Sequence, residues 1–208
     1  MLSMKTVAIV DYGVSNIDSV RRAIEECGAH PIVTSSFRDL EKASHIILPG
    51  VGSFPVAMRN LRERRIVESL KEQVVAKKIP FLGICLGMQL LAATGEEGET
   101  TEGLSFISGT VRKFQPLSQD YRIPHIGWNS VIVVRDNPLF RNIDPASNFY
   151  FVHSYHLDCS NSEDVVARTP YCGEFVSSVM RDNVFGTQFH PEKSQKNGFQ
   201  LLRNFLSI

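Results

Sequence analysis

Short β-branched apolar runs alternate with helix-periodic stretches through the first 95 residues, and this alternation points to a parallel sheet with helices on both faces. Residues 6–10 form an apolar run that ends at Asp11-Tyr12-Gly13. Ile17, Val20, Ile24 and Cys27 then recur on one helical face, and Gly28 supplies the stop. Residues 31–34 and 45–48 read as two further strands, the second apolar on both sides as a buried parallel strand requires. One long charged helix is expected over residues 55–78, followed by a strand over 79–84. Another helix begins near Leu86, with Leu90 and Leu91 inward and Gly95 at its end.

The second half changes character. Residues 104–114, 128–134, 149–158, 165–168, 175–180 and 184–189 are strand-like and mostly joined by Asn, Asp, Pro and Gly turns, so part of this half is expected to be antiparallel. Residues 194–206 close the chain as a helix whose Leu201, Leu202 and Phe205 would pack back on the sheet. With no internal repeat or linker, residues 1–208 read as one α/β domain: a mainly parallel central sheet flanked by helices, with an antiparallel β-rich C-terminal half.

Lys plus Arg and Asp plus Glu both number 22, so net charge gives no case for nucleic acid or an anionic membrane as partner. A small neutral substrate or a protein partner fits better. The N-terminal apolar run is too short for a signal peptide, and no apolar stretch approaches the ~20 residues that span a bilayer, so cytoplasmic residence is expected. The four cysteines, at 27, 85, 159 and 172, form no CxxC pair, which argues against a disulfide framework or a zinc ribbon.

Cys85 lies where the 79–84 strand turns into a helix, within Gly83-Ile84-Cys85-Leu86-Gly87. A sharp strand-to-helix corner needs small residues two before and two after its central residue, because neighbouring backbone comes close there. The helix start adds partial positive charge and free N–H groups, among them that of Leu86, which suit a thiolate and an oxyanion. A buried structural thiol at a tight turn satisfies the same five residues, so both readings stand at this point.

A cysteine nucleophile needs a base and a group to orient it. His30, before Pro31, and His45, at a strand start, read as surface or strand-edge residues. In HSYHLDC, residues 153–159, strand alternation sends His153 and His156 to opposite faces, which argues against a shared metal. His125 stands in an exposed, turn-rich segment before Gly127-Trp128-Asn129. His190 differs, because it ends the 184–189 strand at its carboxyl side, the side on which Cys85 also lies. Pro191 stops the ladder and lets Glu192 turn back toward the imidazole. A strand-terminating turn with a surface glutamate is the simpler reading of HPE alone. The arginine-rich run 59–65 reads as a solvated helix face, with Glu63 and Glu68 as ion-pair candidates.

PGVGSF at 49–54, GICLGMQLL at 83–91 and GTQFHPEKS at 186–194 resemble, in content and order, the class I triad-type glutamine amidotransferases. PHIGWN at 124–129 and YFVHSY at 150–155 are similar to the glutaminase subunits of imidazole glycerol phosphate synthases in particular. So is DYGVSN at 11–16, although a glycine is usual at the position of Ser15. The resemblance implies a Cys85, His190 and Glu192 triad that hydrolyses glutamine through a thioester without cofactor or metal. It implies one oxyanion donor at Leu86 and a second from the PGVG loop, at Val51 or Gly52, after a peptide rearrangement of that loop. Gly52, Gln89, Ser154 and Tyr155 would hold the substrate's carboxylate and ammonium. The implied partner is a (β/α)8 cyclase that receives the ammonia in histidine biosynthesis, met near Asn16, Trp128, Tyr150 and Lys193. Two alternatives stay in view: a related complex that amidates another acceptor such as a sugar, and a non-catalytic interaction module.

Overall fold

In the computed structural model, which describes residues 4–14, 16–116, 118 and 121–208, the first half follows the expected alternation. β1 (Thr6–Val10) leads to α1 (Ile17–Glu26), β2 (His30–Thr34), the short α2 (Phe37–Leu40) and β3 (His45–Gly50). Then come α3 (Phe54–Glu63), α4 (Ile66–Leu70), β4 (Phe81–Cys85) and the four-residue α5 (Leu86–Gln89). The second half holds β5 (Thr94–Gly95), β6 (Thr101–Glu102), β7 (Gly109–Lys113), β8 (His125–Ser130), β9 (Ile132–Val133), β10 (Asn148–His153), β11 (Tyr155–Cys159), β12 (Val165–Thr169), β13 (Phe175–Arg181), β14 (Val184–Thr187) and α6 (Gln195–Leu206). Ser15 lies outside the described residues.

The main sheet runs β2-β1-β3-β4-β14-β13-β12-β9. Its first five strands are parallel, and β13, β12 and β9 join antiparallel. Strand alternation divides the core between its two faces. Ala8, Val10, Ile46 and Leu48 pack with Phe54, Met58 and Leu61 of α3. Val7, Ile9 and Ile47 pack with Val20 and Ile24 of α1 and with Leu201, Leu202 and Phe205 of α6. Burying each such leucine or phenylalanine contributes roughly 1.5–3 kcal/mol. Two smaller sheets, β10-β8 and β11-β7-β5-β6, complete the fold.

Several sequence expectations are corrected. The helix over 55–78 breaks at Arg65, which takes a left-handed conformation at φ 56°, and Lys71–Ala76 continues as a wider π-helical turn. In one straight helix Ile66 would sit about 140° around the axis from Leu61. The break lets both reach the core. Arg62 pairs with Glu102 at 3.9 Å rather than with Glu63 or Glu68. The strand over 104–114 shortens to β7, because Leu104, Ser105, Phe106 and Ile107 donate their N–H groups to the carbonyls of Leu90, Ala92 and Leu91. The 128–134 strand is interrupted at Val131, whose N–H bonds the Ser147 carbonyl. The 149–158 strand splits at Ser154, so β10 pairs with β8 while β11 pairs with β7 in another sheet. His45 is buried, with its ring edge-on to Phe205 at 5.1 Å, because α6 covers the strand that carries it.

Candidate active site at the carboxyl edge of the sheet

β4 and β14 are parallel neighbours, with Ile84 in register with Thr187. Their carboxyl ends therefore release Cys85 and, three residues past Thr187, His190 at the same sheet edge, where open α/β sheets gather reactive groups. β3 flanks β4 on the other side, with Gly50 opposite Cys85, and delivers the 49–54 loop to the same place.

Cys85 occupies the corner itself at φ 55° and ψ −111°, a conformation that L residues adopt only when their surroundings impose it. The flanking glycines make room for the turn. A Cβ on Gly87 would lie 1.7 Å from the Leu48 carbonyl oxygen, and one on Gly83 would lie 2.5 Å from that of Gly87. The thiol is buried, 3.8 Å from the Val152 carbonyl oxygen and 3.7 Å from the carboxamide Nε2 of Gln188. Leu86 opens α5, so its N–H has no acceptor within that helix.

His190 is held through backbone and side chain. Its N–H donates to the Tyr150 carbonyl at 2.9 Å, and its carbonyl accepts from the Ser194 hydroxyl at 2.6 Å. That hydroxyl oxygen accepts the Tyr150 N–H at 3.0 Å. Nδ1 lies 2.7 Å from Glu192 Oε1, while Nε2 is buried without a hydrogen bond and faces Cys85. Burial alone would discharge the ring. The Cys85 sulfur beside it and the Glu192 carboxylate both favour the charged ring, outweigh burial and push the imidazole up to about 10.

A cleft of about 300 Å³ opens over Cys85, and its lining includes Val51, Gly52, Leu86, Gln89, Ser154 and Tyr155. Gln89 donates its Nε2 to the Tyr155 carbonyl at 2.8 Å and to Gln188 Oε1 at 3.0 Å. The Val51 N–H is donated to the Val14 carbonyl at 3.0 Å and so is engaged within its own loop. Gly52 next to it has φ 100°, a value that favours glycine.

Outside the cleft, Trp128 is 48% exposed and packs edge-on to Tyr150 at 6.2 Å, with Lys193 Nζ 5.8 Å over the Tyr150 ring. Asn16 precedes α1, which packs on the Pro191–Lys193 turn.

Three features were not read from the sequence. Glu97 lines the cleft and accepts the Phe54 N–H at 2.7 Å, capping α3; nothing in EEGE, residues 96–99, separates it from its acidic neighbours. Gln188 contacts the thiol from within GTQFHPEKS, where its burial gives no sequence signal beyond the motif. His125 is buried rather than in an exposed turn, with Nδ1 3.1 Å from Nε2 of His153. The bend at Ser154 also overturns the opposite-face argument for His153 and His156, whose rings both lie against Phe114, at 5.1 and 4.7 Å. Among the described residues, no group of three or more His, Cys, Asp or Glu is arranged to hold a metal ion, and no helix is long and apolar enough to cross a membrane.

The family described as glutamine amidotransferase class-I matches residues 8–208. The imidazole glycerol phosphate synthase subunit HisH 1 of Campylobacter jejuni is 48% identical over 97% of this chain and 100% of its own length. The HisH subunit of Leptospira interrogans is 44% identical over 97% and 100%. Among solved structures, PurLQS from Thermotoga maritima aligns over 98% of this chain and 99% of its own, with TM-score 0.73 at 20% identity, a likeness of fold. The family match over residues 8–208 and the 44–48% identity over nearly the whole chain with these two HisH proteins place the chain in the class-I glutamine amidotransferase family, among the HisH subunits of imidazole glycerol phosphate synthase.

Proposed function

We propose that the cleft over Cys85 binds glutamine and that Cys85, His190 and Glu192 hydrolyse its side-chain amide. The observation that carries this reading is the convergence, at one sheet edge, of a cysteine in a strained corner with a buried His190–Glu192 pair. The Cys85 thiolate attacks the carboxamide carbon to give a tetrahedral oxyanion. Leu86 N–H donates to that oxygen. Val51 N–H becomes the second donor once the Gly50–Val51 peptide turns from Val14, a rearrangement that Gly52 eases. His190 gives its Nε2 proton to the nitrogen as the C–N bond breaks and ammonia leaves. Water, deprotonated by His190, then attacks the thioester; the C–S bond breaks, and the thiolate–imidazolium pair is restored. One glutamine and one water thus give one glutamate and one ammonia. Gln89, Ser154 and Tyr155 hold the substrate's amino-acid end, and the Glu97 carboxylate matches its ammonium.

Ammonia released into water at neutral pH is mostly protonated and loses its nucleophilicity, so this unit works best docked to the enzyme that uses the ammonia. The exposed Trp128, backed by Tyr150 and Lys193, suits an interface anchor. Asn16 precedes α1, which packs on the turn that carries Lys193. The partner is a (β/α)8 cyclase that takes up ammonia to complete imidazole glycerol phosphate.

In the complex with that cyclase, Cys85→Ala is expected to lower glutamine-dependent synthesis by ~10⁴-fold or more. Synthesis supported by added ammonium salt is expected to persist. Undiminished glutamine-dependent turnover would overturn the assignment, and ammonia uptake by a different acceptor in the same assay would overturn the partner.

A further inference from the structure

We propose that His125 and His153 are positioning residues for glutamine, forming a one-directional hydrogen-bond relay that fixes the Ser154–Tyr155 wall of the cleft. The proposal rests on the reading of that cleft as the glutamine site.

The direction follows from donor chemistry. His153 Nδ1 lies 2.8 Å from the Tyr155 carbonyl oxygen, which only accepts, so Nδ1 carries a proton. In a neutral ring Nε2 is then an acceptor, and its partner at 3.1 Å, His125 Nδ1, must donate. His125 Nε2 is left as an acceptor, and the carboxamide Nδ2 of Asn129, a donor, lies 3.3 Å from it. Asn129, His125, His153 and the Tyr155 carbonyl thus form a chain in which each ring carries one proton and every ring nitrogen is partnered. Burial pushes both imidazoles down, His125 to about 4 and His153 to about 3, in keeping with neutral rings.

The chain ends on a wall that is otherwise lightly held. The Tyr155 carbonyl accepts from His153 and from Gln89, filling both its lone pairs, while the Ser154 carbonyl accepts the Phe114 N–H at 3.0 Å. Ser154 marks the break between two sheets, so no single ladder runs through it. Without the relay the wall keeps only the Phe114 and Gln89 bonds on these two carbonyls. His125 is itself clamped between Tyr171, stacked at 3.9 Å, and Phe151 at 4.9 Å, which fixes where the relay starts. His153 lines the cleft, yet both its ring nitrogens are committed within the chain, which makes it a support of the wall rather than a participant in the reaction.

The relay also has a bearing on the partner. β8 and β10 pair His125 with His153 at one end and Trp128 with Tyr150 three residues along, about 10 Å away. One ribbon thus carries the exposed aromatic patch and the histidine pair that supports the cleft wall.

The test combines spectroscopy with two substitutions in the full chain bound to its cyclase. Imidazole ¹⁵N shifts at neutral pH are expected to show both rings as neutral Nδ1–H tautomers. His125→Phe keeps the stacking but removes the relay; it is expected to raise the KM for glutamine about tenfold, the worth of one or two neutral hydrogen bonds, with kcat falling less than KM rises. His125→Gln restores one donor and one acceptor and should bring KM back toward the unmodified value. Finding either ring as the Nε2–H tautomer or as an imidazolium overturns the relay without recourse to any variant. Equal KM values for His125→Phe and His125→Gln would reduce His125 to a packing residue and overturn it as well. Failure of Cys85→Ala to abolish glutamine use would instead remove the underlying reading of the cleft, whatever the tautomers.

Discussion

His190 Nδ1 and Glu192 Oε1 stand 2.7 Å apart, with side chains only 3% and 1% exposed. This contact fixes which imidazole nitrogen is turned toward Cys85. Glu192→Gln keeps the shape and removes the charge. It is expected to cut glutaminase kcat by about 10²–10⁴ while leaving KM for glutamine nearly unchanged, read from steady-state assays of the complex. A drop in kcat/KM carried wholly by KM would place Glu192 in substrate binding instead.

The buried histidines predict how stability varies with pH. For His190, raised from 6.5 to about 10, the stabilising contribution is full below about 6.5 and is lost as pH rises through about 10. Burial lowers His45 and His125 to about 4 and His153 to about 3. For these three the unfolded chain takes up protons first as pH falls below 6.5, so stability declines from there toward their folded values. The histidines together favour a stability maximum near pH 6.5. Urea unfolding at a series of pH values checks this, and in Cys85→Ala the alkaline decline should still begin near 6.5 but end at a lower pH, because one cause of the raised His190 value is gone.

Gly87→Ala tests the corner. The added methyl would sit 1.7 Å from the Leu48 carbonyl oxygen, a backbone atom of a buried strand that cannot swing aside. A loss of about 3 kcal/mol or more, or failure to fold, is expected in denaturant unfolding. A variant of unchanged stability would mean that β3 and β4 shift to admit a side chain.

The sequence made the parallel half legible because buried parallel strands announce themselves as short apolar runs and its turns are marked by glycine. GICLG and HPE were each ambiguous alone. Their adjacency in space depends on β4 and β14 being neighbours, a pairing across about a hundred residues that no local pattern carries. Residues 104–107 look strand-like by their apolar side chains, while their N–H groups cap the turns after α5. The partner of Glu97, the Phe54 N–H, is a backbone group invisible to a reading of side-chain types, and the His125–His153 pair depends on the register of β8 against β10.

Val51 and Val14 give the last prediction. The Val51 N–H is spent on the Val14 carbonyl at 3.0 Å, so this arrangement offers the oxyanion Leu86 as donor from the corner but not Val51 from the loop. One oxyanion donor is worth about 10²–10³ in rate, which is therefore the expected deficit of the chain alone relative to its complex with the cyclase and the cyclase's ligand. The bond reports on itself: the Val51 amide proton should exchange slowly in the chain alone and change its protection when glutamine and partner are both bound. Turnover by the chain alone as fast as in the complex would show that the Val51 donor is not required. A Val51 amide that keeps the same protection in the fully active complex would show that the second donor comes from another peptide, leaving Gly52 as the nearest alternative.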